Sequence, residues 1–380
     1  MKKVCLFFIL LFIPFIVQAE DLNLAENAKS AILIEASTGE VLYQKDANRR
    51  LAPASMTKIM SLILIMENIE KGNLKWNDVI VVSKNAASMG GSQIFLEANE
   101  MMSVEDLVKG ICVASGNDAT VALAEKIAGT EASFVKLMND KAKSLGLKNT
   151  HFVNSTGLDA EGHYSSAFDM AIMARELVKH QKILEFSSIY EDYLRKNTSN
   201  SFWLVNTNKL VQFYSYIDGL KTGYTGNAGY CLTATGKKRD MRLISVVMGE
   251  ENTEKRTADT LAMLDYGFNV YAIDKLVDST NSLGIAKVNL GDPEYVDIVA
   301  MNDITVLNNT QKEKRNIKYD IKTNDITAPV KVGDKVGKID VYENGTFSYE
   351  VPLTVAYDIK KANILKIFIR NIRDILSVNI

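Results

Sequence analysis

The pattern of apolar and polar positions changes character several times along this chain. Val4 to Val17 is an almost unbroken apolar run behind Lys2 and Lys3, and it ends in Val17-Gln18-Ala19 before Glu20. A basic start, a short apolar stretch and small residues at a cut point predict a secretory signal peptide over residues 1–19, too short for a permanent span. The competing reading is an uncleaved anchor; either one places the working protein outside the cytoplasm. Ser30 to Ile34 and Val41 to Tyr43 are strand-like, with Ser37-Thr38-Gly39 as the turn of a hairpin between them. The next run, Ser55 to Ile69, is apolar on every side, which predicts a core helix entered through Pro53.

Start and stop signals then mark a series of helices. Ser103-Val104-Glu105-Asp106 reads as a capping box for a helix through Val113, and a second helix runs from Ala119 to Ile127. Thr130 and Gly146 bound a third, and Ser166 to Asp169 opens a fourth that ends near His180; Asp169 reads there as a cap. Phe152-Val153 predicts a short strand. Another is predicted to start at Lys221-Thr222-Gly223, and Tyr230 to Ala234 with Arg242 to Met248 predicts a hairpin.

From about Val277 the period becomes two, as in Ile317 to Ile321 and Ile339 to Tyr342, and Asn344-Gly345 between two such runs is a hairpin signal. This predicts a small all-β domain over residues 275–361, read as a spacer or docking module. Residues 362–380 change again. Leu365, Phe368, Ile369, Ile372, Ile375 and Leu376 form one stripe, opposite Lys366, Arg370, Arg373, Asp374 and Ser377. That is the pattern of a helix lying on a membrane surface, and burying six such side chains gives a gross transfer energy of up to about 9–18 kcal/mol. A helix packed on a partner protein is the competing reading.

Composition narrows the class. At 380 residues, with 47% apolar and 24% charged residues, the chain has material for a full core and a second domain. A formal net charge of −2 carries no basic excess, which argues against nucleic acid as a partner. His151, His163 and His180 have neither metal-ligand spacing nor a motif tying them to a serine, and Cys5, Cys112 and Cys231 make no disulfide framework.

Three short motifs carry candidate chemistry. In Ser55-Met56-Thr57-Lys58 the serine and lysine lie three apart, on one helical face, and Lys58 is the one charge between Arg50 and Glu67. A lysine in dry surroundings loses proton affinity and can activate a neighbouring hydroxyl. A second match, Ser133-Phe134-Val135-Lys136, sits on a polar helix face among Glu131, Asp140, Lys141 and Lys143, where nothing depresses the lysine. Ser115-Gly116-Asn117 lies between two apolar helices; it can aim two polar groups into a cleft or serve only as a helix junction. Lys221-Thr222-Gly223 opens a strand, where Gly223 would let a substrate peptide run along the edge, with Lys221, Thr222 and Thr225 facing an anion.

In this order the three motifs resemble the set shared by class A β-lactamases and penicillin-binding proteins. The chain is most similar to low-molecular-mass penicillin-binding proteins that are D-alanyl-D-alanine carboxypeptidases. The similarity extends through Ala114 to Ala119, Leu145 to Phe152, Gly157 to Ala160 and Asp218 to Gly223.

The resemblance implies an α/β (α+β) transpeptidase/β-lactamase-like domain over residues 20–274, an antiparallel sheet flanked by helices. A small β-sandwich and the amphipathic helix would follow. It implies that Ser55 attacks the stem peptide, that Lys58 is the acylation base, and that Ser115 relays the proton with Lys58 or Lys221. Asn117 would bond the substrate amide, and the backbone N–H groups of Ser55 and Tyr224 would form the oxyanion hole. Lys221, Thr222, Thr225 and Arg256, with Gly223 beside them, would hold the terminal carboxylate.

The partners implied are the peptidoglycan stem peptide, β-lactam antibiotics and the outer face of the cytoplasmic membrane, with no cofactor and no metal. A class A β-lactamase using Glu161, a D,D-endopeptidase and a non-catalytic wall-binding protein are the alternatives.

Overall fold

The computed structural model describes residues 22–377, with side chains as far as Arg373. The signal-peptide reading, and the side chains of Ile375 and Leu376 in the last stripe, fall outside what it describes. Ser30–Glu35 (β1) and Val41–Lys45 (β2) form the expected hairpin. They join Ile217–Thr225 (β3), Gly229–Lys238 (β4) and Met241–Glu250 (β5) in an antiparallel sheet of order β2-β1-β5-β4-β3. Successive residues of a strand face opposite sides. Ile32 and Ile34 of β1 and Ile244 and Val246 of β5 therefore enter one core, while Ala31, Leu33, Leu243 and Val247 enter another.

The larger core is built from α1 (Lys58–Glu70), α2 (Val104–Ala114), α3 (Asn117–Ala128), α4 (Glu131–Ser144) and α5 (Ala167–Leu177). Ser103, Thr130 and Ser166 each accept a backbone N–H as N-caps, as their sequences predict. The smaller core lies under α6 (Thr253–Val270), where Gly267 comes against Leu243 and Leu33.

Two local expectations need correction. The helix predicted from Ser55 begins as a 3₁₀ turn, Ala54–Thr57, and becomes α-helical only at Lys58. Phe152-Val153 is not a strand; His151 makes a single bridge to Tyr164 and Phe152 is buried beside it.

β structure resumes directly after α6, at Tyr271–Val277, which pairs with Ile304–Asn309. A six-stranded sheet follows, antiparallel except for the pair Val288/Ile326 and Asn289/Thr327. Its core of Val288, Ile298, Ile339, Leu353 and Val355 is separate from the other two. Asn344 and Gly345 both have positive φ (52° and 82°), the geometry of a tight two-residue hairpin turn. Arg315 grips Glu40 of the first domain with two hydrogen bonds of 2.7 and 2.6 Å.

The last helix, α7 (Ile364–Ser377), is amphipathic, but its charged side is not free. Lys366 reaches Asp292 at 2.5 Å, and Arg370 and Arg373 reach Glu294 at 3.5 and 2.9 Å. The cations dock the helix on the β domain, and Ile364, Leu365, Phe368, Ile369 and Ile372 face outward.

Candidate active site

β3 ends the five-stranded sheet, and the 3₁₀ turn that carries Ser55 packs on its face at Gly223. Ala54 is held at φ 48°, in a region unfavourable for residues other than glycine, and Met56 N–H closes the turn on the Pro53 carbonyl at 3.2 Å. Two glycines allow the neighbours to come this close. At Gly223 a β-carbon would stand 2.8 Å from the Pro53 carbonyl oxygen, 3.1 Å from Ala54 Cβ and 3.2 Å from Ser55 N. Gly157, at φ 89°, has its missing side chain against the Ala54 carbonyl. The absent side chain of Gly223 makes room for the Ser55 turn on the face of β3.

The nucleophile candidate and its base are in contact. Lys58 Nζ lies 2.9 Å from Ser55 Oγ and donates to the Thr156 carbonyl at 2.8 Å. Lys58 is completely buried while Ser55 keeps partial access to solvent. Burial, reinforced by the nearby charge of Lys221, holds the Lys58 amine well below its ordinary pKa; Asp118 pulls weakly the other way. Lys221 is buried as well, and desolvation followed by Arg256 brings it down to about 7, opposed by Cys112. Its Nζ donates to the Thr222 carbonyl at 3.0 Å.

Ser115 and Asn117 belong to a further wall, the α2–α3 junction, whose Asp118 is near enough to Lys58 to act on its charge. Ser115 ends α2 in the left-handed region, φ 62°, and Gly116 precedes α3, so the helix-junction reading and the cleft reading hold together. Ser115 Oγ and Asn117 Oδ1 are buried with no hydrogen-bond partner. Asn117 Nδ2 is committed to the Gly90 carbonyl at 2.6 Å, which leaves the oxygen as the end open to a ligand. Asp118 fixes this wall by accepting from the backbone N–H groups of Ile94, Leu96 and Ala119 at 2.8–3.1 Å.

Thr222 donates to Thr207 at 2.7 Å, and Thr225 donates to Asp159 at 2.8 Å. Tyr224 turns its ring outward onto Tyr230, with centroids 4.3 Å apart, so only its backbone faces the Ser55 turn. Arg256, from the first turns of α6, is buried with its Nε unpartnered. Glu161 is exposed in its loop, and Thr156, not a carboxylate, is the group from this region that reaches Lys58. Lys136 of the second S-x-x-K match is exposed on the outer face of α4.

Several supporting groups were not legible in the sequence. His163 accepts from Val153 N–H at Nδ1 (3.1 Å), which places its proton on Nε2, and it donates to Thr57 Oγ1 at 2.8 Å. Burial lowers its pKa to about 4, so it is neutral. It braces the residue next to Lys58 and makes no bond to Ser55. The Thr156 and Gly90 carbonyls are backbone groups with no sequence signature; Asp118 adjoins a motif residue and could have been flagged.

A hydroxyl bonded to a dry amine, on an antiparallel sheet flanked by helices, defines the class of serine hydrolases that work with lysine instead of histidine. The profile of the D-alanyl-D-alanine carboxypeptidase family matches residues 16–252, and that of the penicillin-binding protein 5 C-terminal domain matches residues 271–361. The chain belongs to the D-alanyl-D-alanine carboxypeptidases, serine peptidases of the penicillin-binding class.

It is 50% identical over 353 residues to D-alanyl-D-alanine carboxypeptidase DacF of Bacillus subtilis, covering 93% of this chain and 91% of that protein. With DacC of Escherichia coli it shares 34% over 367 residues, 93% and 90% of the two chains. Penicillin-binding protein 5 from Haemophilus influenzae superposes with a TM-score of 0.69 at 31% identity, over 88% of this chain and 98% of that one. Penicillin-binding protein D2 from Listeria monocytogenes, in its ampicillin-bound form, gives 0.57 at 31% identity over 64% and 98%.

Proposed function

We propose that this protein removes the terminal D-alanine from peptidoglycan stem peptides through an acyl-Ser55 intermediate, and that penicillins acylate the same oxygen. The observation that carries the reading is the 2.9 Å contact between Ser55 Oγ and a fully buried Lys58 amine of reduced proton affinity. An unprotonated Lys58 accepts the Ser55 proton as the Oγ–carbon bond to the penultimate D-alanine carbonyl forms. The developing oxyanion is held by the N–H groups of Ser55 and Tyr224, whose close approach Gly223 permits. Being a backbone contribution, it is insensitive to the tyrosine side chain.

Ser115 Oγ, buried and unpartnered, passes the proton from Lys58 or Lys221 to the leaving nitrogen as the carbon–nitrogen bond breaks. Asn117 Oδ1 accepts from a substrate backbone N–H, because its Nδ2 is already held by Gly90. Lys221 and Arg256 hold the terminal carboxylate, joined by the hydroxyls of Thr222 and Thr225 once these turn from Thr207 and Asp159; a guanidinium suits a bidentate grip. Water then attacks the ester and frees Ser55.

The protein is proposed to act outside the cytoplasm after loss of residues 1–19, attached to the outer face of the cytoplasmic membrane by residues 362–380. The outward apolar stripe of α7 supports this. The described residues contain no helix long and apolar enough to cross a membrane.

The deciding experiment is mass spectrometry of D-alanine released from a pentapeptide ending in D-Ala-D-Ala. Release by the wild type that is abolished in Ser55→Ala and Lys58→Ala is the expected result; undiminished release by Ser55→Ala would overturn the reading.

A further inference from the structure

Phe95 points an aromatic ring into the open from a backbone held at φ 55°, a conformation that bulky residues seldom adopt. Its neighbours fix it there. Asp118, next to Asn117, accepts the N–H groups of Ile94 and Leu96 at 3.0–3.1 Å. Arg195 donates to the Ile94 and Phe95 carbonyls at 3.1 Å each, and its guanidinium grips Glu100 at 2.6 and 3.0 Å. Arg195 itself holds φ 52°, directly after the hairpin strand Glu191–Leu194. Two residues in a disfavoured conformation are thus locked together, and the ring they present is 64% exposed, so no core explains it.

Phe202, from the partner strand Phe202–Val205, meets Phe95 edge to face with ring centroids 5.4 Å apart. The two rings form one side of an open space of about 750 Å³, whose rim carries Glu97, Asn99, Thr198 and Asn200. Arg195 is the cation in that lining, and Glu100 and two carbonyls consume it, so the space suits an uncharged ligand better than an anionic one. An aromatic face ringed by amides, a hydroxyl and a carboxylate matches a sugar. The C–H face of a pyranose covers a ring, while its hydroxyl and acetamido groups bond the rim. A purely apolar ligand would leave that rim unused.

The space is within reach of Ser55. The Ser92 carbonyl accepts the Asn117 N–H at 2.7 Å, and Phe95 follows three residues later, at most about 10 Å along the chain. A stem peptide bonded by Asn117 runs beside this wall. The four residues between its reacting carbonyl and the sugar that bears it span up to about 14 Å when extended. We propose that Phe95 and Phe202 form a sugar subsite, which stacks the N-acetylamino sugar bearing the stem peptide while Asn99 and Asn200 bond its acetamido and hydroxyl groups. This rests on the acyl-Ser55 reading and adds a preference for stems still joined to their sugar.

The test compares two substrates of the full-length protein, a free pentapeptide and the same pentapeptide on N-acetylmuramic acid, both followed by mass spectrometry. Wild type is expected to favour the sugar-linked substrate by about tenfold in kcat/KM, mainly through KM. Phe95→Ala should erase that preference while leaving the free pentapeptide, and acylation by a fluorescent penicillin, within about twofold; Phe95→Tyr, which keeps the aromatic face, should restore it. Equal rates of the two substrates in the wild type would overturn the proposal, as would a Phe95→Ala variant that slows both substrates and penicillin alike. Saturation-transfer NMR with N-acetylmuramyl dipeptide reads the subsite without catalysis: transfer to the N-acetyl and ring protons is expected in the wild type and lost in Phe95→Ala, and its absence from the wild type would overturn the proposal. Failure on the free pentapeptide together with a positive NMR result would sink the carboxypeptidase reading and leave the sugar subsite standing.

Discussion

Gly223 and Ser55 are in backbone contact: a β-carbon on the glycine would lie 3.2 Å from the serine nitrogen and 2.8 Å from the Pro53 carbonyl. Both obstacles are backbone, so neither can move without shifting the nucleophile turn or the edge strand. Gly223→Ala is expected to displace one oxyanion donor from the other and slow acylation by a fluorescent penicillin about a hundredfold or more. Thermal stability should fall too, by the roughly 1–3 kcal/mol that overpacking costs, but the variant should stay folded because the strand keeps its pairing with β4. An unaltered acylation rate would show that this contact does not set the site.

The two buried lysines predict a bell-shaped pH profile. Lys58 must be uncharged to take the Ser55 proton, so kcat/KM rises with pH through its depressed pKa. Lys221 must be charged to attract a carboxylate, and in the free enzyme it loses its proton through about 7, which makes kcat/KM fall again. Their coupling sharpens the expectation, since the Lys221 charge is one reason the Lys58 pKa is low. Lys221→Gln should abolish the falling limb and move the rising limb to higher pH. Profiles for a D-Ala-D-Ala peptide with the two enzymes check both movements, and an unmoved rising limb would remove the coupling.

Lys58 was readable from sequence because its isolation among Met56, Ile59, Met60 and Leu62 already implied burial, and burial is what changes its chemistry. Lys221 was readable only as part of a motif; its surroundings are set by Cys112 and Arg256, far away along the chain. The helices were legible where Ser103, Thr130 and Ser166 announce their caps, and the Asn344-Gly345 turn was legible for a similar local reason. Local signals could not reveal that Gly223 faces Ser55, that His163 braces Thr57, or that Thr156 and Gly90 contribute carbonyls. These are relations between segments up to about 170 residues apart, fixed by packing that no local pattern encodes. The charged side of the last helix was legible as charge but not by its partners: Lys366, Arg370 and Arg373 meet Asp292 and Glu294, which lie in another segment of the chain.

His163 supplies a stability prediction with a definite sign. Folded, its pKa is about 4; unfolded, it returns to an ordinary value near 6.5. Between those values the unfolded chain binds more protons, so stability is full above about pH 6.5 and is lost as pH falls through 4. The contribution at stake is about 3 kcal/mol. Urea unfolding at a series of pH values should show this slope, and His163→Gln, which keeps a donor for Thr57 without titrating, should flatten it. Equal slopes in the two proteins would remove His163 as the cause.

The docking of α7 bears on the proposed membrane attachment. Lys366, Arg370 and Arg373 are engaged by Asp292 and Glu294, so little positive charge on that face is left to seek anionic lipid. The outward side chains of Ile364, Leu365, Phe368, Ile369 and Ile372 offer a gross transfer energy of about 7–15 kcal/mol before ordering costs. Attachment driven by that stripe should be nearly as strong on zwitterionic vesicles as on anionic ones, and should survive salt that screens surface charge. Phe368→Glu with Ile369→Glu should release the protein from both kinds of vesicle while leaving pentapeptide cleavage intact in solution. Binding confined to anionic vesicles and abolished by salt would mean that the cations leave the β domain to meet headgroups, and the docked arrangement of α7 would not be the membrane-bound one.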